Sequence, residues 1–319
     1  MSENHICDML PYIMEHGTDR LVEISTGILG NLACHDVLIP QLLTAALRQA
    51  ILGQALWRDD PACLTEVLRL SGSLVQASAA QEWVQELLQS KTLERMVWIM
   101  DNTLNNSLFE RACYLLARLA STGADAVSTI IGQPFLRILC TSLQQSAQLT
   151  AEPERHGSEW DSPSRAIDDD VFPGPQAAQA VFDVLEALAE DPGGGAALGR
   201  DEQLIESMLS LLQGPASLSL RGRAAALIAE LNAEAFYRPF AQDAGAMEQL
   251  LCLVVMSSSD EDYGEACWAL LAAVSRFMHT AETPWQVLCE IAKGAEKLAD
   301  SNSYLAWGSR ADNEYAENS

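Results

Sequence analysis

A chain of 319 residues with 49% hydrophobic content can bury a continuous core, which excludes wholesale disorder. Its formal net charge of −25, from 19 basic and 44 acidic residues, repels phosphate backbones and anionic lipid. Nucleic acid and membrane surfaces are therefore excluded as main ligands, and the expected partner is a protein, basic in character if charge steers the encounter. Aromatic residues make up only 6%, so helix-on-helix packing through Ala and Leu is expected.

Taken in order, the chain predicts a helix over residues 5–15, cut by Pro11 and ending near Gly17. Residues 21–34, LVEISTGILGNLAC, read as one amphipathic helix: Leu21, Ile24, Ile28, Leu29 and Leu32 recur three and four apart, and Asp19 is placed to cap it. Gly27 and Gly30 inside it each cost about 1 kcal/mol of helix propensity against Ala. A helix accepts that cost mainly where another backbone comes close. Helix continues over 35–52 and breaks at Gly53. Asp59-Asp60-Pro61 opens a helix over 62–76, with proline in its first turn. Helices over 80–89, with Trp83, and 91–101, with Met96, Val97 and Met100, follow. Residues 102–106 form a turn before a helix carrying Phe109, Ala112, Leu115, Leu116 and Leu119. A short helix over 124–131, a glycine turn and a longer helix over 134–143 come next, and 237–256 repeats that plan with Gly245 at the turn. Gly193-Gly194-Gly195 reads as a flexible turn between helices.

The ends of six helices repeat one degenerate motif: GILGNLACHD, RLSGSLVQAS, YLLARLASTG, DVLEALAEDP, ALIAELNAEA and ALLAAVSRFM. Aligned on one apolar position they give Leu32, Leu74, Leu119, Leu188, Leu231 and Val274, spaced 42, 45, 69, 43 and 43 residues apart. Repeats of about 40–47 residues built from two or three helices mark armadillo and HEAT solenoids. The expected fold is thus all-α: an armadillo/HEAT-like α-solenoid of six degenerate repeats. The long spacing is explained by residues 144–175, which hold Pro153, Pro163, Pro173, Pro175 and the run Asp168-Asp169-Asp170. They read as a disordered acidic insert, either a passive surface loop or a lid over the groove. The domain plan is repeats over 1–143, the insert over 144–175, repeats over 176–297 and a polar tail over 298–319.

No constellation for catalysis is present. His5, His16, His35, His156 and His279 are scattered, and HExxH, GxSxG and GxxxxGK[ST] are absent, so neither catalytic residue, metal nor cofactor is expected. The eight cysteines form no CxxC and fall among apolar neighbours, as buried free thiols do in a reducing compartment. With neither a signal peptide nor an apolar run of about 18 residues, the chain is expected to be soluble and intracellular.

A solenoid offers a long groove instead. In importin-alpha proteins, which the array resembles in layout, a Trp and an Asn one turn apart on the last helix of each unit hold a bound peptide. Here the Trp-type positions read Gly27, Arg69, Tyr114, Asp183, Ala226 and Ala269, and the Asn-type positions Asn31, Ser73, Arg118, Ala187, Glu230 and Ala273. That ladder is absent. Trp98 and Asn102 have the right spacing but fall on a middle helix, where Trp98 is expected in the core. The candidate partner-binding residues are Asn31, Arg69, Ser73, Tyr114, Arg118, Asp183 and Glu230.

Three stretches, LVEISTGILGNLAC (21–34), DDPACLTEVLRL (59–70) and AAQEWVQELLQ (79–89), resemble the N-terminal block of the serum amyloid A-like protein family, most specifically over residues 20–100. The resemblance implies an armadillo-type protein associated with the nucleus and with promotion of cell proliferation, and it supplies no catalytic residues. The acidic segment that precedes the first repeat in that family is missing here, and the later repeats diverge. The resulting expectation is a non-enzymatic interaction scaffold, with a transport receptor for basic cargo as the alternative.

Overall fold

A computed structural model of the chain describes residues 5–35, 37–77, 80–148, 172, 174–214, 216–257 and 261–280. Most of the expected insert and all of the expected tail lie outside them. Among the described residues every regular element is helical. In chain order they are α1 (His5–His16), α2 (Asp19–Leu32), α3 (Ile39–Leu42), α4 (Ala45–Gly53), α5 (Pro61–Val75), α6 (Gln81–Leu87), α7 (Ser90–Asn102), α8 (Asn106–Ala120), α9 (Ala124–Ile131), α10 (Phe135–Gln148), α11 (Pro175–Ala189), α12 (Pro192–Leu198), α13 (Glu202–Gln213), α14 (Leu218–Leu231), α15 (Glu234–Gln242), α16 (Ala244–Met256) and α17 (Glu261–Thr280). Contacts divide the chain into two compact units, 1–207 and 208–319. The six motif copies fall on α2, α5, α8 and α11 of the first unit and α14 and α17 of the second. No single helix among the described residues is long and apolar enough to cross a membrane.

Short polar side chains start the helices. Asp60 accepts from the Cys63 N–H at 2.8 Å ahead of Pro61, and Asn105 from the Leu108 N–H at 2.9 Å. Asp191 accepts from the Gly194 N–H at 3.0 Å. Each such cap is worth about 1 kcal/mol. At α2 the cap is Thr18, not the expected Asp19: Thr18 is extended and its Oγ1 accepts from the Leu21 N–H, while Asp19 is drawn to the Arg58 guanidinium at 2.6 Å. The helix expected over 35–52 is two, because Pro40 starts α3 and Thr44, extended, caps α4. Pro11 does not cut α1, which continues to His16 and buries Leu10 and Met14. The triple glycine is not a turn but the body of α12, since Asp191 caps it and Gly194 packs against the Leu188 carbonyl, leaving no room for a Cβ. Gly245 lies inside α16; the break before it is at Asp243, whose side chain accepts from the Gly245 N–H.

In the first unit α2 packs on α5, α5 on α8 and α8 on α11. The core between them is Val67, Leu68, Leu70, Leu74, Phe109, Leu115, Leu116, Leu119, Val181, Phe182 and Leu188, all essentially without solvent exposure. Small residues let these helices approach. A Cβ on Gly72 of α5 would lie 2.6 Å from the Tyr114 ring of α8, and one on Gly30 of α2 would lie 2.8 Å from the Arg69 guanidinium of α5. The glycines of α2 thus make room for a cation and not, as expected, for another backbone. In the second unit α14 packs on α17, and Gly222 receives the Tyr263 ring, whose hydroxyl is 2.9 Å from Ser219 Oγ.

The buried face of α2 also differs from the expected one. Val22, Ser25, Thr26, Leu29 and Gly30 are buried, whereas Leu21, Ile24, Ile28 and Leu32 are exposed. Small side chains face α5 because Arg69 lies there, and the threonine hydroxyl is satisfied within the helix by the Val22 carbonyl at 2.7 Å. Of the cysteines, Cys63, Cys113, Cys140 and Cys267 are buried, but Cys34 is exposed. Burial pushes the Cys63 thiol up to about 11 and the Cys140 thiol up to about 12. Burial, reinforced by Asp183 and Glu110, puts the Cys113 thiol well above its ordinary range.

Two outcomes follow from this packing. Gly72→Ala gains about 1 kcal/mol of helix propensity but forces the Tyr114 ring aside, so it lowers stability by about 1–3 kcal/mol. In a Tyr114→Ala background the same change raises stability, and urea titration of the four proteins reads both signs. Native protein at pH 8 treated with an alkylating reagent modifies Cys34 before Cys63, Cys113 and Cys140, which react only as the chain unfolds; rapid native modification of Cys113 would contradict this.

Candidate partner-binding surface

The motif helices carry the candidate residues at equivalent turns, outside the buried stripe. Asn31 is exposed on α2, and its Oδ1 accepts from Arg69 Nη1 at 3.3 Å. Arg69 on α5 also donates from Nη2 to the Gly27 carbonyl at 2.9 Å and from Nε to Glu66 at 2.8 Å. Its guanidinium lies over the backbone of α2, fully engaged, and reaches that position because Gly27 and Gly30 leave it free. Ser73, one turn on, is half-buried and donates its hydroxyl to the Arg69 carbonyl at 3.0 Å.

Tyr114 on α8 rests in the notch at Gly72, and the Arg118 guanidinium lies 5.0 Å from its ring centre. Such a cation–π contact holds the arginine at the surface and contributes about 0.5–1 kcal/mol. Among the described residues no carboxylate lies within ion-pair distance of Arg118, which leaves a half-exposed cation beside an aromatic face. Asp183 is exposed on α11, the next helix in the stack, close enough to Cys113 to raise its thiol. The structure therefore joins Asn31 to Arg69 and Tyr114 to Arg118, with Asp183 on the adjoining helix. Glu230 is exposed on α14 and belongs to the second unit.

One contributor was missed in the sequence, Glu66, which orients Arg69, and the close approach expected at Gly27 and Gly30 turns out to admit the Arg69 guanidinium. The opposite charges three residues apart in EVLR were the available signal.

Trp98 corrects another expectation. It is 47% exposed rather than in the core. The Arg95 guanidinium lies 4.3 Å from its ring centre and 5.6 Å from that of Trp57, and Lys91 Nζ lies 4.9 Å over Trp57. Arg95 is itself buried and donates to the Leu56 and Arg58 carbonyls at 3.1 and 2.6 Å, so the indole covers a fixed cation and keeps its outer face in water. The Asn102 amide is taken up by the Trp98 carbonyl of its own helix at 2.8 Å, which removes it as a peptide holder.

No family model matches the chain. It is 34% identical over 114 residues to Protein saal1 of Danio rerio, a match that covers 35% of this chain and 24% of that protein. The chain thus matches about a quarter of that relative's length. Among solved structures, an engineered protein superposes with a TM-score of 0.60 at 19% identity, covering 85% of this chain and 98% of its own. A designed armadillo repeat protein gives 0.59 at 14% identity over 83% and 98%. Another, in complex with the peptide (KR)4, gives 0.59 at 15% identity over 85% and 99%. Such identities speak for the fold alone: the chain is an all-α solenoid of armadillo type, in keeping with its period of about 43 residues.

Proposed function

We propose that the chain is a non-enzymatic protein-binding scaffold, in which the motif helices of the first unit receive an extended segment of a partner protein between Asn31 and Asp183. The observation that carries this reading is the Tyr114–Arg118 pair. A half-buried aromatic ring and a cation with no carboxylate within ion-pair distance among the described residues stand one turn apart on α8, flanked by the engaged Arg69 and by Asp183. An aromatic face beside a fixed cation takes up apolar side chains and carboxylates, and Ser73 and Asn31 add hydrogen-bonding groups for a backbone. The designed armadillo protein that holds a peptide lends the fold a precedent for this mode of binding.

A basic cargo is not favoured on this surface. Arg111, exposed on α8, and Arg118 would repel it, and the positions that carry Trp and Asn in import receptors hold other residues. The nuclear association and growth-promoting role that the family resemblance implies belong to this same reading, as the cellular consequence of the bound partner.

The test is affinity capture from cell extract followed by mass spectrometry, comparing wild type with Asn31→Ala/Arg118→Glu/Asp183→Lys. These three side chains lie outside the core, so the variant should keep the wild-type helical content and melting temperature. Loss of a small set of captured proteins by tenfold or more is expected; an unchanged set would overturn the reading. A captured partner that binds through Arg118 loses affinity on Arg118→Glu more than on Arg118→Gln, by a margin that shrinks as salt rises from 50 to 500 mM.

A further inference from the structure

Three exposed apolar side chains of α2, Leu21, Ile28 and Leu32, have counterparts on α5, α8 and α11 that are covered, whereas those of Ile24 are Glu66, Arg111 and Ala180. Ile28 corresponds to Leu70, Leu115 and Val184, and Leu32 to Leu74, Leu119 and Leu188, by the same register that aligns the motif. Those six side chains are 0% exposed, on helices that each pack on the preceding motif helix. Ile28 is 54% exposed and Leu32 37%. Leu21 is exposed as well, while its counterparts Cys63, Leu108 and Ala177 are buried. The stripe of α2 therefore has the side chains of a helix-docking face. Among the described residues no motif helix covers it, since α1 packs chiefly on α4.

We infer that this face is a dimer interface, in which α2 of one copy packs antiparallel on α2 of a second copy across a two-fold axis at Ile28. Three observations select a second copy. The stripe Ile24, Ile28, Leu32 is spaced by four on either side of Ile28, so an antiparallel mate sets Ile28 on Ile28 and Ile24 on Leu32, apolar on apolar at these three positions, as an isologous contact demands, with Leu21 at the rim opposite His35. The stripe with Leu21 leaves roughly 350 Å² of side chain in water, and Met9 and Tyr12 of neighbouring α1 raise this to roughly 600 Å², large for a monomer's patch and near the ~800 Å² per partner of a standard interface. Burying it strands no charge: Arg20 pairs with Glu23 at 2.6 Å and Asp19 with Arg58 at 2.6 Å, both within one copy.

Two copies each carrying −25 repel one another. The interface is apolar, so salt strengthens the dimer by screening that repulsion, opposite in sign to a complex held by charge.

Sedimentation equilibrium of the full chain over 1–100 µM tests the interface. Wild type should distribute between monomer and dimer, with association tightening at least threefold from 50 to 300 mM salt. Ile28→Glu changes an exposed side chain, so circular dichroism should be unaltered while dimerisation weakens at least 100-fold. Leu104→Glu, which alters an apolar side chain exposed on the turn between α7 and α8, should leave it intact. In a Cys34→Ser background, Ile28→Cys should give a disulfide-linked dimer on mild oxidation, because the axis brings the two thiols together. Wild type that stays monomeric to 100 µM overturns the proposal. So does a dimer indifferent to Ile28→Glu.

Discussion

The structure depends on one recurring contact, a motif helix laid against the next with a bulky side chain of one seated over a glycine of the other. Arg69 over Gly30, Tyr114 over Gly72 and Tyr263 over Gly222 are three instances of it. A helix interior glycine is costly by itself. It is retained because it lets the apolar stripes behind it come together, and core packing tolerates little volume error. The same contact decides what lies at the surface. Once Arg69 and Tyr114 are fixed in their notches, Ser73 and Arg118 one turn away stand at the edge of the core on α5 and α8. The candidate surface is in this sense the outer edge of the core packing.

Arginine has a second role in this acidic chain. Arg58 donates to the Met14 and Gly17 carbonyls at 3.1 and 2.8 Å, Arg95 to Leu56 and Arg58, Arg69 to Gly27, and, in the second unit, Arg221 to Leu212 at 3.1 Å. Helix ends leave carbonyls without intrahelical partners, and a planar guanidinium with five donors satisfies several at once. With 19 basic residues against 44 acidic, this use of arginine inside the fold makes the surface still more negative. Arg118 and Arg111, left outside, are conspicuous against that background.

The period of about 43 residues was legible because a repeat must bury the same stripe each time it recurs, whereas the split of 35–52 into α3 and α4 and the helix α12 were not. The helix start at Asp60 was legible for a local reason, the short oxygen-bearing side chain that reaches back to an N–H, whereas α2 is capped by Thr18 in place of Asp19 and α11 starts at Gly174 with no side-chain cap. The burial of α2 was not legible. Leu21, Ile24, Ile28 and Leu32 have the period of a core stripe, and periodicity cannot distinguish a face that is covered from one that awaits a cover. Trp98 misled in the same manner: an indole among Met96, Val97 and Met100 reads as core until Arg95 is seen beneath it.

By itself, then, the sequence determined the class of fold, the repeat length and the positions that would share one turn of successive helices, since these follow from helical period and from the need of each repeat to cover its neighbour. Only the tertiary structure decided which side of α2 is buried, that Gly27 and Gly30 accommodate a cation, and that Arg69 is engaged while Arg118 is available. Those outcomes depend on side chains some forty residues apart meeting across a helix interface, and local pattern carries no record of which partner arrives there.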